Sequence, residues 1–292
     1  MTKEPLKLVI PKGSLEQATV DLFGRAGWNI RISPRSYFPS VDDDELMLAR
    51  LRAQEISRYV ESGTFDAGLT GRDWILENES NVKVIDDLVY SKASRNPARW
   101  VLAVDGESNY HAPEDLAGCR IATELVGFTK KFFAERAIEV DVEFSWGSTE
   151  AKVREGVVDA IVDVTETGNT LRANGLRIIH SLLTTNTQLI ANHEAYADPF
   201  KREKIEQIHL LLQAALEARK MVGLKMNVSE RNLDAVVRLL PSLDAPTVSG
   251  LYKSDSFAVE SVISEDVVRS LIPKLLKAGA RGIIEFDLNK VI

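Results

Sequence analysis

The stretch 159–176, DAIVDVTETGNTLRANGL, admits few local structures. Ala160–Val162 and Val164 form an apolar run punctuated by Asp159 and Asp163, which reads as a buried strand. Thr165-Glu166-Thr167-Gly168 breaks it, and a helical run, Asn169–Ala173, follows until Asn174-Gly175 stops it. A strand, a hydroxyl- and glycine-bearing turn and a helix start together suit a phosphate group. The turn's free amides point outward, Gly168 carries no Cβ to block close approach, and a helix N-terminus adds positive potential. Thr165, Thr167 and Thr170 offer hydroxyls, and Asp163 ends the strand where a carboxylate can meet ribose hydroxyls or a magnesium-bound substrate. The residues alone leave an ordinary strand-to-helix connection, capped by Thr and Asn, equally open.

The same pattern occurs earlier. Phe65–Trp74 (FDAGLTGRDW) repeats the form of Val157–Asp163: an apolar-Asp-small opening, a strand, then a turn into a helix. Such an echo predicts two similar α/β lobes whose strand-to-helix turns face one cleft, since open α/β sheets bind ligands at the carboxyl ends of their strands. Around it, Leu6–Ile10 reads as a strand, with Pro11-Lys12-Gly13 leading into a helix from Ser14, whose spacing to Gln17 is that of a capping box. Lys12 suits either a second anion site or a solvated loop. Asp42-Asp43-Asp44-Glu45 reads as a solvated loop rather than a magnesium site. The second lobe opens at Arg99–Val104 after the polar run Ser91–Asn96, continues through a strand at Arg120–Thr123 and a helix at Gly127–Ala137, and reaches a helix near Glu150 for which Ser148 is the expected cap. Arg177–Leu183 and Thr187–Ala191 read as strands crossing back to the first lobe, and Asp198–Arg219 as a long amphipathic connector helix. From Met221 the order is strand, helix (Ser229–Leu240), strand (Ala245–Tyr252), strand, helix, strand, a ferredoxin-like βαββαβ unit with no apparent nucleophile, base or phosphate turn.

Composition excludes several classes. The 292 residues carry 36 Lys and Arg against 43 Asp and Glu, a net charge of −7, with no basic block to attract nucleic acid. Anionic ligands would therefore need local cations or helix ends working against the global field. MTKEPLKLVIPKG has too short an apolar run for a signal peptide, and nothing reaches membrane-spanning length. One cysteine, Cys119, fits a reducing cytoplasm. His111, His180, His193 and His209 are scattered without metal-ligand spacing.

Glu150, Gly156, Asp163, Thr167, Gly168, Thr170 and Leu171 fall on the pattern of the ATP phosphoribosyltransferases, the first enzymes of histidine biosynthesis, and the Pro-Lys-Gly opening is similar. The resemblance spans essentially the whole chain. Val158 stands where the family usually has a small residue, and Glu55 where it usually has Asp. It implies an α/β fold: a two-lobed catalytic part resembling type II periplasmic binding proteins, with a ferredoxin-like regulatory domain that binds histidine as feedback inhibitor. Lobe I would comprise 1–97 and 184–218, lobe II 98–183, and the regulatory domain 219–292. The implied reaction moves phosphoribose from phosphoribosyl pyrophosphate to N1 of ATP, with Mg²⁺ held mainly through substrate phosphates. Asp163 and Glu150 would take the ribose. Arg35 and Arg52, whose planar forks suit pyrophosphate, would join Lys12 at the phosphates. Thr165, Glu166, Thr167, Gly168, Asn169 and Thr170 would bind the 5′-phosphate, Thr123 and Glu124 would line the cleft edge, and Gly71 and Asp73 would lie near the nucleotide. Ala245 and Thr247, in the Leu243–Val248 segment, and Asn227, where some relatives have Asp or His, would form the histidine site. A homo-oligomer, dimer or hexamer, is implied. The two-lobed fold alone also permits a solute-binding or sensor module.

Overall fold

The computed structural model describes residues 4–33, 35–90, 97–243 and 245–292. The expected polar run 91–96, and Asp244 within the Pro-Thr segment, lie outside the described residues. The chain forms two compact units, Met1–Asp21 with Trp28–His209, and Leu22–Gly27 with Leu210–Ile292.

In the first unit, β1 (Leu6–Lys12), α1 (Glu16–Ala26), β2 (Leu46–Arg52), α2 (Ala53–Glu61), β3 (Ala67–Gly71), α3 (Arg72–Glu77) and β4 (Lys83–Leu88) are followed by β5 (Ala98–Asp105), β6 (Arg120–Thr123), α4 (Val126–Ala134), β7 (Asp141–Phe144), α5 (Thr149–Arg154), β8 (Ala160–Thr165), α6 (Asn169–Ala173) and β9 (Leu176–Thr185). The chain then turns at Asn186 into β10 (Thr187–Ala191), α7 (His193–Ala197) and α8 (Pro199–Ala218), which carries the boundary between the units. One sheet has the order β2-β1-β3-β10-β4 and the other β7-β6-β8-β5-β9. In each, the first three strands are mutually parallel and the fourth runs antiparallel to the third. Strands β3 and β8 occupy the same position in the two sheets, so the echo in the sequence is an echo in the fold. Strand β9 stays in the second sheet, pairing with β5 as far as Thr185, and only β10 returns to the first. The crossing is therefore the single residue Asn186.

Each sheet is buried where its strands are continuously apolar, as parallel strands covered by helices must be. Val9, Ala49, Ile56, Val60 and Ile190 pack in the first lobe, and Val101, Ala103, Ala122, Val153, Val158, Ile161 and Leu171 in the second. Val158, larger than the family's usual residue, is one of these core side chains.

Several local expectations give way to stronger contacts. Helix α1 starts at Glu16, whose amide donates to the Gly13 carbonyl; Gln17 reaches forward to Asp21 (2.8 Å) instead of back to Ser14, so no capping box forms there. Ser148 occupies the N-cap position of α5, but in a left-handed conformation and without a capping bond. Helix α4 stops at Ala134, short of the expected Ala137. The acidic run is a loop with Asp42, Asp44 and Glu45 exposed, but Asp43 is drawn inward and the loop is tied down. Asp43 accepts from the Trp28 indole at 2.8 Å and pairs with Lys204 at 2.7 Å, while Glu45 takes the same ammonium at 3.0 Å. Burial pushes the Asp43 carboxyl up, but Lys204, Trp28 and the Glu45 amide together hold it below its usual value.

The second unit contains β11 (Met221–Ser229), α9 (Leu233–Val237), β12 (Thr247–Gly250), β13 (Ser256–Ser264), α10 (Glu265–Lys277) and β14 (Arg281–Asp287) in one antiparallel sheet of order β12-β13-β11-β14. This is the ferredoxin-like arrangement. The first helix is shorter than expected, a 3₁₀ turn at Glu230–Asn232 followed by α9, and β12 is only four residues long. Val222, Leu224, Met226, Val228, Val259 and Ile263 alternate inward against Val236, Leu271 and Leu275. The opposite, outward register carries Lys225 and Asn227 on β11, Ala258 and Glu260 on β13, and Thr247 on β12. Asn227 and Thr247 are both exposed, as is Ala245.

Candidate active site

Lobe I presents its strand ends as cations. Lys12 and Arg52 are register partners at the carboxyl ends of the parallel pair β1 and β2. Both are exposed, and within the described residues neither makes a hydrogen bond or ion pair. The Lys12 ammonium lies over the Tyr37 ring, 4.7 Å from its centroid, and the Arg52 guanidinium lies over the Trp146 ring at 5.0 Å. Two residues before Arg52, Arg50 is buried. It donates to Glu16 Oε1 at 2.8 Å and to the carbonyls of Ser33 and Ser36, and its amide donates to the Tyr37 carbonyl. Arg50 thus holds the loop that carries Tyr37 and Arg35. Arg35 itself is exposed.

Lobe II presents the turn. Strand β8 is buried through Val162 and rises out of the core at Asp163. Gly168 follows in the left-handed conformation (φ 74°), buried, and donates its amide to Thr165 Oγ1 at 2.8 Å. Thr167 Oγ1 meets the Asn169 amide at 3.4 Å. Arg172 staples the outside of the turn, giving Nη2 to the Thr167 carbonyl (2.9 Å) and to Asn169 Oδ1 (2.6 Å). The amides of Thr167 and Thr170 have no acceptor among the described residues, and the side chains of Thr167, Asn169 and Thr170 are exposed while those of Thr165 and Glu166 are partly so. Helix α6 is only five residues long, so what the turn can offer an anion is amides and hydroxyls more than a macrodipole.

Gly168 is required by this geometry. A Cβ there would sit 3.0 Å from Arg172 Nη1 and 3.1 Å from Ile178 Cδ1, in a conformation that L-residues avoid. Gly168→Ala is expected to cost about 1–2 kcal/mol of stability and to weaken phosphate binding about tenfold. Urea denaturation together with titration by inorganic phosphate checks both.

Asp163 faces two further carboxylates. Its pKa is pushed up to about 6, chiefly by burial; the Val164 amide, which donates to Oδ1 at 2.7 Å, opposes this, and the charges of Glu150 and Glu124 reinforce it. Glu150 lies in the first turn of α5. Glu124, just past β6, also accepts from Gln54 of lobe I at 3.4 Å, so this carboxylate group stands where the lobes meet. The site therefore sets amides, hydroxyls and carboxylates on one side against unneutralised cations on the other.

Two expected contacts do not belong to this surface. Thr123 is wholly buried and its hydroxyl accepts from the Leu125 amide at 3.0 Å, so it shapes the turn after β6 and does not line the cleft. Asp73 is 6% exposed and its carboxylate is already occupied. Oδ2 accepts from the Trp100 indole at 2.7 Å, Oδ1 from the Trp74 amide at 3.1 Å, and the Thr185 hydroxyl oxygen meets the Asp73 amide at 3.2 Å. Gly71 serves Asp73: a Cβ there would fall 2.0 Å from Asp73 Oδ1. The pair builds the hinge, next to the amide of Arg72 that donates to the Asn186 carbonyl. Glu124 stands at the cleft edge where the resemblance put it, whereas Arg50, Tyr37, Trp146 and Arg172 carried no motif in the sequence; only the Asn169-to-Arg172 spacing, one helical turn, pointed to a contact.

The family model of ATP phosphoribosyltransferase matches residues 52–214, and the model of the HisG C-terminal domain matches 218–290. The chain belongs to the ATP phosphoribosyltransferase family. It is a transferase of the long form, with the C-terminal domain, and its place is the first step of histidine biosynthesis. Relatives of that name from Solidesulfovibrio magneticus and Desulfatibacillum aliphaticivorans are 63% and 61% identical, over 98% and 99% of this chain and the same shares of their own. Among solved structures, the ATP phosphoribosyl transferase (HisG:HisZ) complex from Thermotoga maritima aligns with a TM-score of 0.63 at 28% identity, covering 73% of this chain and 98% of that one. XAC2383 from Xanthomonas citri, at 15% identity and a TM-score of 0.51 over 73% of this chain and 84% of its own, shares the two-lobed fold alone. The two-lobed transferase is thus of the type II periplasmic-binding-protein kind. No helix among the described residues is long and apolar enough to cross a membrane.

Proposed function

We propose that this transferase moves the 5-phosphoribosyl group from phosphoribosyl pyrophosphate to N1 of ATP, releasing pyrophosphate, and that free histidine bound by the C-terminal domain slows it. The observation that carries the reading is the pairing of the 165–170 turn and Asp163 with the free cations Lys12 and Arg52 at the strand ends of the other lobe. The lone pair of N1 forms the new bond to the anomeric carbon while the bond from that carbon to the pyrophosphate oxygen breaks, its electrons leaving with pyrophosphate. N1 carries no proton that must depart, so no general base is needed. The protein's work is to orient two anions and stabilise the departing one. The turn's amides and hydroxyls take the 5′-phosphate, Asp163 and Glu150 the ribose hydroxyls, and Lys12, Arg35 and Arg52 the pyrophosphate and ATP phosphates. Mg²⁺ would enter on the substrate phosphates and neutralise part of their charge. Asn227, Ala245 and Thr247, exposed on the second unit, are the candidate histidine contacts. The reading also includes a cytoplasmic homo-oligomer.

The test is turnover of ATP and phosphoribosyl pyrophosphate with Mg²⁺, with and without histidine. Product formation suppressed by histidine is the expected result. Product without suppression removes the regulatory half, and folded protein that binds either substrate without turning over favours a sensor.

A further inference from the structure

Trp146 and Tyr37 have no structural reason to be aromatic. They are 65% and 58% exposed; among the described residues the one ring against Trp146 is that of Phe144, edge-to-face at 6.0 Å, and neither packs into a core. What they do is sit beneath the two cations of the cleft, Arg52 and Lys12. The protein is acidic, with 43 Asp and Glu against 36 Lys and Arg, yet neither cation is paired with a carboxylate within the described residues. A carboxylate partner would fix a cation but consume its N–H donors and cancel its charge. An aromatic face attracts the cation through its quadrupole and uses none of them.

We infer that Tyr37 and Trp146 are positioning residues that hold Lys12 and Arg52 at the strand ends with every donor free for a pyrophosphate-bearing ligand. This rests on the function proposed above and adds two residues to it. Because Trp146 belongs to lobe II and Arg52 to lobe I, the second contact also aims the guanidinium across the cleft.

The probe is inorganic pyrophosphate with Mg²⁺, its affinity measured by calorimetry on the full-length protein, alongside kcat and KM. An exposed cation–π contact corresponds to about a two- to fivefold change in affinity. Trp146→Ala is expected to weaken pyrophosphate binding and to lower kcat/KM by that factor at unchanged melting temperature, with Trp146→Phe recovering most of it. In an Arg52→Met background, Trp146→Ala should have no further effect, and Tyr37→Leu should behave likewise against Lys12→Met. Equal losses in the presence and absence of the cation, or no loss in Trp146→Ala, would overturn the inference while the wild type still binds pyrophosphate. Wild-type protein that neither binds pyrophosphate nor turns over would overturn the functional reading and this inference with it.

Discussion

Asp163→Asn is expected to lower kcat/KM by about 100-fold and, at neutral pH, to make the protein more stable. Both effects come from one placement. The carboxylate lies in the last half of β8, partly buried and without a cationic partner among the described residues, near Glu150 and Glu124, and its pKa stands near 6 rather than 3.8. A native pKa above the unfolded one means that the folded state binds the extra proton between about pH 4 and pH 6. Stability is therefore lost as pH rises through that window, and at pH 7 the ionised Asp163 is a standing cost. At 1.36 kcal/mol per pKa unit, and discounting for partial solvent access, that cost is about 1–2 kcal/mol. An amide keeps the shape and removes the charge. The melting temperature of Asp163→Asn should thus exceed the wild type's by a few degrees at pH 7.5, and the difference should shrink as pH falls and vanish only well below the unfolded value of 3.8, where both states of the wild-type carboxyl are protonated. Activity moves the other way, because an amide cannot accept from two ribose hydroxyls as a carboxylate does. In the wild type, kcat/KM should fall as pH drops through about 6. A variant that loses activity with no gain in stability at pH 7.5 would mean that the charge is not desolvated as the geometry requires.

What the sequence made legible was everything carried by local pattern. The apolar run ending in Asp163, the Thr-Gly turn and the echo at Phe65–Trp74 each specify a strand entering a helix, and the two sheets place those segments identically. Lys12 and Arg52 were legible only through the family resemblance, because a lysine or arginine closing a strand reads by itself as a solvated surface charge. What stayed hidden depends on pairs far apart in the chain. Gln54 with Glu124, Arg52 with Trp146 and Arg50 with the loop at 33–37 join residue types that are common on any surface, so nothing local distinguishes them. For Asp73 and Thr123 the hydrogen bonds favour bracing over ligand contact. Each sits at a strand end, where ligands bind, but burial had already given its oxygens a protein donor. A strand-end position marks a candidate; only the accounting of its hydrogen bonds separates a ligand from a brace.

For Asp73 that accounting predicts a large change in stability. Asp73→Ala leaves the Trp100 indole N–H without its acceptor at a site 2% exposed, and removes the oxygen that accepts from the Trp74 amide. A buried donor stripped of a charged acceptor costs about 2–4 kcal/mol. Burial also holds the Asp73 carboxyl above its usual value despite the Trp100 and Thr185 contacts, so part of the native bond's strength is spent on desolvating the charge. Asp73→Asn retains an oxygen for the indole and is freed of that charge; its penalty, a second N–H facing the Trp74 amide, should keep the net change within about 1 kcal/mol. The two substitutions separate a brace from a ligand. If Asp73 holds the hinge, Asp73→Ala lowers the urea midpoint sharply, whereas Asp73→Asn keeps both stability and the KM for ATP near the wild-type values. If Asp73 instead touches the nucleotide, Asp73→Asn raises the KM for ATP severalfold while the midpoint stays put. The indole bond reaches from α3 of one lobe to β5 of the other, beside the single-residue crossing at Asn186. Its loss would also loosen the angle between the lobes, so kcat should fall in Asp73→Ala even under conditions where the protein remains folded.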